Sequence, residues 1–380
     1  MNMTETKQLL RGTASKFSFG LPVLKARLTG RPIPFQVLFT LTNRCNLKCD
    51  YCYADYPNRP QQKDLTLDEV LTIIDAFAEA GTRRFNLVGG EPMVRSDIQE
   101  IVSHIKDRRL ECAMTTNGYY VRKKLDAVRR LDLLCVSLDG DRAAHDALRG
   151  EGSHAKAMEA IHLAVENRIP LQVACVLTRH NLNSIGLLLE MGREMGFAVG
   201  FSTLISEAGA TARKDPPYLP NDEEYRTALR TILDYKKRGY PVLFSKRSLE
   251  YALRWPHAFS QDKIIGKTPD FKYIPCNAGR YFVIIDANGD VYPCPATVDV
   301  LRPLNALRDG VRKALDKTAG HTCKTCHIPC LNDFNLLYSL DAGVIVNILK
   351  RYQPRNHRWD WIKRTNGQST QRPHVAVEQA

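Results

Sequence analysis

Hydrophobic and polar positions follow two periods along the first half of the chain. Compact apolar runs rich in β-branched and aromatic residues fall at 36–42, 84–90, 110–116, 133–139, 171–178 and 198–204, the pattern of buried strands. Between them, residues 65–81, 96–108, 121–130, 155–167 and 183–195 place their apolar positions at helical spacing. Thr66 and Glu69 have capping-box spacing at the start of the first of these helices, and Gly81 stands at its end. Buried strands alternating with helices predict a parallel sheet covered by helices. Six such units are too few to close an eight-stranded barrel. The fold class expected is α/β: a partial (β/α)6 TIM-type barrel, open on one side, with its chemistry at the C-terminal ends of the strands.

The pattern changes after residue 204. Residues 212–222 read as a linker, followed by a helix at 221–238. Residues 281–294 read as a β-hairpin, with Ala287, Asn288 and Gly289 supplying the turn. Residues 331–352 read as one helix with an apolar stripe at Leu337, Leu340, Val344, Ile348 and Tyr352. The expected organisation is a basic arm (1–35), a barrel core (36–214), a helical linker (215–270), a small cysteine-rich domain around the hairpin (271–335), and an amphipathic helix with a basic tail (336–380).

Composition narrows the class. With 380 residues, 44% hydrophobic and 25% charged, the chain is globular and can bury a large core. No apolar run reaches the roughly 18–20 residues of a spanning helix. The first residues lack a signal peptide's apolar centre, so a cytoplasmic protein is expected. The net charge of +13 sits mainly in the tails: six Lys/Arg against one acid in 1–35, and seven against two in 346–380. Such arms suit peripheral contact with an anionic membrane at the inner surface, or remain solvated. Arg355, Arg358, Trp359, Trp361, Lys363 and Arg364 have the mix of an interfacial anchor. No basic, aromatic-studded sheet face is visible, so nucleic acid is not an expected partner.

Eleven cysteines in a reducing compartment point to metal. Cys45, Cys49 and Cys52 lie in CNLKCDYC, directly after the first strand. Structural zinc takes four ligands, usually as C-x2-C pairs. Three cysteines spaced x3 then x2 suit an iron–sulfur cluster with one iron left without a protein ligand. A second group comprises Cys276, Cys294, Cys323, Cys326 and Cys330; paired turns of this kind also occur in structural zinc sites. CKTCH (323–327) is a C-x-x-C-H haem-attachment string, rejected because such attachment needs export. Cys112, Cys135 and Cys175 fall inside predicted strands and read as small buried hydrophobes. His145 and His327 lie nearest the proposed sites and are assigned no role.

The C-x3-C-x-aromatic-C pattern of Cys45, Cys49, Tyr51 and Cys52 resembles the signature of the radical S-adenosylmethionine (SAM) superfamily. Further motifs follow in that family's order at strand ends: GGEP (89–92), TTNG (115–118), SLDG (137–140) and HDALRG (145–150). The resemblance implies that the three thiolates hold a [4Fe–4S] cluster whose fourth iron is chelated by SAM. Electron transfer then yields a 5′-deoxyadenosyl radical that abstracts hydrogen from substrate. It further implies that Gly89, Gly90 and Glu91 meet the SAM amino group, and that Ser137 and Asp139 contact its ribose or carboxylate. Arg149 is expected either to pair with a carboxylate or to be a solvated helix-end arginine. The later cysteines resemble the auxiliary-cluster domains called SPASM and twitch. A full SPASM domain has seven cysteines; five here match a single auxiliary [4Fe–4S] cluster on Cys276, Cys294, Cys323 and Cys326, with Cys330 as an alternative ligand. The implied activity is oxidation or rearrangement of a small or lipid-like metabolite, with electrons from a flavodoxin or ferredoxin. The alternatives are a maturase acting on a peptide or protein side chain, and a non-enzymatic electron carrier.

Overall fold

The computed structural model describes residues 20–49, 51–52, 54, 63–205, 218–298 and 300–351. Each expected strand of the first half is present: β1 (Gln36–Thr40), β2 (Arg84–Val88), β3 (Glu111–Thr116), β4 (Leu133–Ser137), β5 (Leu171–Leu177) and β6 (Ala198–Thr203). They lie side by side in chain order and all pair in parallel. Helices Leu67–Glu79, Ile98–Asp107, Leu125–Arg129, Ser153–Glu166 and Ile185–Met195 form the crossovers. The first opens on the expected capping box: the Thr66 hydroxyl accepts from the Glu69 N–H, and the Glu69 carboxylate accepts from the Thr66 N–H. Its Val70, Ile73, Ile74 and Phe77 are buried against Val37, Phe39, Phe85 and Leu87. Each such side chain taken from water contributes about 1.5–3 kcal/mol. Cys112, Cys135 and Cys175 are buried in this core, as expected.

The later strands are β7 (Lys263–Ile265), β8 (Phe282–Ile285), β9 (Asp290–Tyr292), β10 (Leu304–Asn305) and β11 (Cys323–Cys326). The expected hairpin forms β8 and β9, and Gly289 takes a φ of +87° at its turn, a conformation that disfavours other side chains. This hairpin is not detached from the barrel. β8 pairs in parallel with β1, Gln36 opposite Phe282 and Phe39 opposite Ile285. The result is one nine-stranded sheet in the order β10-β9-β8-β1-β2-β3-β4-β5-β6. β11 pairs antiparallel with β7 in a separate two-stranded sheet.

The helix expected over 331–352 is two helices, Pro329–Tyr338 and Ala342–Arg351. Leu340 breaks it with a φ of +59°, and the Asp341 carboxylate accepts the Val344 N–H at 3.1 Å to start the second helix. Val344 is buried with Ile274 and Leu336, and Leu337 and Ile348 pack against them, while Leu340 is exposed. Helices Arg142–Arg149, Lys246–Leu253 and Val311–Ala319 are further elements that the apolar pattern left unassigned. Residues 1–19 of the basic arm, Tyr352 and the tryptophan-rich tail lie outside the described residues. Among the described residues no helix is long and apolar enough to cross a membrane.

Candidate active site

The cysteine loop leaves the C-terminal end of β1 and is clamped on both sides. The Thr42 hydroxyl donates to the Asp64 carboxylate at 2.9 Å and accepts the Arg44 N–H at 3.0 Å. Arg95 is buried beneath, donating to the carbonyls of Leu41 and Leu65 at 3.1 and 2.9 Å and pairing with Asp97 at 2.7 Å. The end of β2 meets the same loop. The Gly90 N–H donates to the Thr42 carbonyl and the Glu91 N–H to the Arg44 carbonyl, each at 2.9 Å. A Cβ on Gly90 would stand 2.3 Å from the Arg44 carbonyl oxygen. The glycine is therefore required by the approach of the cysteine loop itself.

A cavity of about 310 Å³ lies over these strand ends. Cys45, Cys49, Tyr51 and Cys52 form one wall, and Gly89, Gly90 and Glu91 the next. Ser137 and Arg149 continue the lining from the end of β4 and the helix after it. The lining continues through Ser202 and Thr203 at the end of β6 and Leu204 and Ile205 after it, with Pro295, Ile328 and Cys330.

Glu91 is fully buried. Its carboxylate accepts from the Met93 N–H at 3.2 Å, the Thr116 hydroxyl at 2.9 Å and the Asn117 N–H at 2.8 Å. Burial lifts its carboxyl to about 7, against these donors. Among the described residues no Lys or Arg side chain forms an ion pair with it. A buried carboxylate in a cavity wall with only neutral donors fits an incoming ammonium.

Asp139 does not line the cavity; it stands behind the wall. Its carboxylate accepts from the Tyr51 hydroxyl, from Arg149 Nε at 2.5 Å and from the Val176 N–H at 3.0 Å. Burial disfavours its charge, but Arg149 and these hydrogen bonds hold the carboxyl below its ordinary range. Both oxygens are engaged within the chain, so the expected contact with a ligand ribose or carboxylate is replaced by a structural one. Arg149 is correspondingly not a solvated helix end: it is nearly buried, with the guanidinium over the Tyr51 ring. Its charge is the largest influence opposing the burial that lifts the Cys49 thiol to about 11. His145 accepts the Asp139 N–H on Nδ1 at 3.0 Å, and burial and Arg149 lower it to about 4, so it is neutral.

Cys276, Cys294, Cys323 and Cys326 face one another. A hydrogen bond joins Cys276 and Cys323, raising the first thiol and lowering the second. Burial raises the thiols of Cys294 and Cys326, and Cys323 raises both further. Lys263, buried and paired with Asp262 at 2.8 Å, brings positive charge to Cys294 and Cys323. Cys330 packs on the same apolar cluster as Cys294 and Cys326 and also lines the barrel cavity. Its thiol neighbours are Ser202 and Asp333. A turn at Ile328–Pro329 starts a new helix, with Cys330 in its first turn.

The donor sets fit iron–sulfur clusters. Among the described residues no three His, Cys, Asp or Glu side chains gather tightly enough to hold a single metal ion. A zinc ion draws its thiolates to about 2.3 Å of one point, whereas a [4Fe–4S] cluster takes each thiolate on its own iron.

Residues 39–191 match the model of the radical SAM superfamily. Those residues carry a radical SAM domain. The chain is 27% identical to the AdoMet-dependent heme synthase of Nitratidesulfovibrio vulgaris, over 70% of its own length and 74% of the relative's. The Fe-coproporphyrin III synthase of Methanosarcina barkeri is 30% identical over 42% of this chain and 41% of that protein. Streptococcus suis SuiB bound to S-adenosylmethionine superposes with a TM-score of 0.61 at 17% identity, covering 76% of this chain and 67% of SuiB. At that identity the likeness is one of fold. The chain is an enzyme, and the cofactors of the superfamily that residues 39–191 match are a [4Fe–4S] cluster and SAM.

Sequence reasoning missed the clamp of Arg95 and Asp64, and the wall formed by Ser202 and Thr203. The latter had a signal: both close the strand expected at 198–204, at the end where chemistry was anticipated.

Proposed function

We propose that this enzyme cleaves SAM reductively and uses it to abstract hydrogen from a small or lipid-like metabolite. Cys45, Cys49 and Cys52 hold the catalytic cluster, and Glu91 receives the SAM ammonium. When bound, cluster and SAM supply reductive cleavage of the sulfonium and removal of a hydrogen atom from substrate. The chain's own contribution is placement. Arg149 lowers the cost of negative charge on the cluster thiolates, and Tyr51 anchors their loop through Asp139. Cys276, Cys294, Cys323 and Cys326 hold an auxiliary [4Fe–4S] cluster that exchanges one electron with the reaction. Electrons come from a carrier of the flavodoxin or ferredoxin type.

The observation that carries this reading is the convergence of three thiols, Glu91 and Arg149 on one cavity at the strand ends. The substrate class is supported by the cavity's apolar lining of Leu204, Ile205, Pro295 and Ile328, and by relatives named as synthases of heme and Fe-coproporphyrin. The likeness to SuiB bound to its precursor peptide is of fold alone and does not bring a peptide to this chain. Anaerobic reconstitution with iron and sulfide tests the proposal: roughly eight irons per chain are expected for two clusters, with 5′-deoxyadenosine formed after reduction. Incubation with lipid, small-molecule and peptide pools of a cell extract then identifies the substrate class. Stimulation by the peptide pool alone would overturn the metabolite assignment.

A further inference from the structure

A second cleft, of about 240 Å³, shares no residue with the barrel cavity. Cys276 and Cys323 stand in its wall, with Tyr273, Arg280, His321 and Lys324 around them. These two cysteines are half-buried, whereas Cys294 and Cys326 are buried and do not line it. The cleft therefore meets the four-thiol group from its outer side. Its walls are braced. His321 accepts the Cys323 N–H on Nδ1 at 3.0 Å, and its Nε2 lies 2.9 Å from the Ala278 carbonyl. With Nδ1 accepting, the proton sits on Nε2, and the neutral ring is a strut between the two cysteine segments. The Cys276 N–H donates to the Lys324 carbonyl at 2.9 Å, and Arg280 Nη1 donates to the Gly30 carbonyl at 2.6 Å. The charge at the cleft has one sign: Arg280 and Lys324 line it, and among the described residues no Asp or Glu does. The charged groups acting on His321 are the same two cations.

From this arrangement we propose that the cleft is the docking site of an acidic one-electron carrier protein, its carboxylates on Arg280 and Lys324 and its redox group against the Cys276–Cys323 edge. The inference rests on the function proposed above and adds where the electron enters or leaves. Electron transfer between proteins falls off steeply with distance, so a carrier sits where the thiols come nearest the surface. One electron crosses and no bond is made or broken: a flavodoxin hydroquinone is oxidised to its semiquinone, and the auxiliary cluster is reduced by that electron. Both cations are only half-buried. A lone small anion there stays solvated, whereas a protein surface bearing several carboxylates meets both at once and is steered to them from a distance.

The test uses the reconstituted full chain, its double variant Arg280→Gln with Lys324→Gln, and an acidic flavodoxin as probe. Iron content, and reduction by photoreduced deazaflavin, which needs no docking, are expected to match in the two proteins. On mixing with flavodoxin hydroquinone at low salt, semiquinone should form about tenfold more slowly with the variant. Salt at about 0.5 M should remove that difference. Equal rates at low salt overturn the docking site alone. The second readout needs no electron: carbodiimide joins lysine amines to carboxylates in contact, and peptide mapping of the wild type should find Lys324 joined to flavodoxin. Cross-links confined to other lysines overturn the site. Binding of succinate that the variant loses, with flavodoxin rates unchanged, makes the cleft a small-anion site and overturns the docking as well. Wild-type protein holding only about four irons per chain overturns the auxiliary cluster of the proposed function, and the docking site with it.

Discussion

Tyr51 donates its phenolic hydroxyl to the carboxylate of Asp139, joining the cysteine loop to the end of β4 across 88 positions of chain. The same carboxylate takes Arg149 Nε at 2.5 Å and has no exposure. Removing it by Asp139→Ala leaves Arg149 buried and uncompensated, a change expected to cost about 3–5 kcal/mol. Tyr51→Phe removes one hydrogen bond to a charged group and should cost about 1.5–3 kcal/mol. Denaturant unfolding of both variants checks the order; a Tyr51→Phe loss equal to that of Asp139→Ala would place the main energy elsewhere.

Gly90→Ala should impair the catalytic cluster without touching a ligand. The added Cβ would meet the Arg44 carbonyl at 2.3 Å, and backbone on that side is fixed by the hydrogen bonds of Thr42 and Arg44. The expected result is loss of about half the iron after reconstitution, read by metal analysis. Full iron content would show that the loop yields.

Glu91 should make SAM binding pH-dependent. Its carboxyl stands at about 7 in the folded chain, above its ordinary 4.5. Below that, a proton must leave before the ammonium can pair with the carboxylate. Affinity is therefore expected to weaken roughly five- to tenfold from pH 7.5 to pH 6. Glu91→Gln should bind SAM more weakly at both and flatten the dependence. Anaerobic calorimetry at the two pH values settles it; an unchanged slope in the variant assigns the proton to another group. For stability without SAM the sign is the opposite of a salt-bridged acid. The raised carboxyl contributes fully below 4.5 and loses its contribution as pH rises through 7.

His145 acts in the other direction. Held neutral at about 4 against an ordinary 6.5, it takes up its proton more readily in the unfolded chain. Stability should fall as pH drops from 6.5 towards 4, by at most about 3 kcal/mol from this group. His145→Asn, which retains an acceptor for the Asp139 N–H, should show a smaller fall in thermal melts over that window.

The chain's sequence determined what is local. Period-2 and period-3.6 apolar patterns are set by neighbours a few residues apart, so six strands and their crossover helices were readable, as was the capping box at Thr66. The cysteine loop was readable for the same reason: its three cysteines lie within eight residues, and their spacing carries the signal. Tertiary structure decided what depends on distant partners. Pairing of β8 with β1 joins residues far apart in the chain, and no local pattern encodes which strand edge is free to receive it. Asp139 stood in a motif expected to meet ligand, yet Tyr51 and Arg149 claim its oxygens because a fully buried carboxylate must be compensated on the spot. Cys330 follows its cysteine neighbours in sequence, and only the fold also sets it in the wall of the barrel cavity. Pro329 holds Ile328 extended and opens a helix there, but which surface Cys330 then meets depends on how that helix packs.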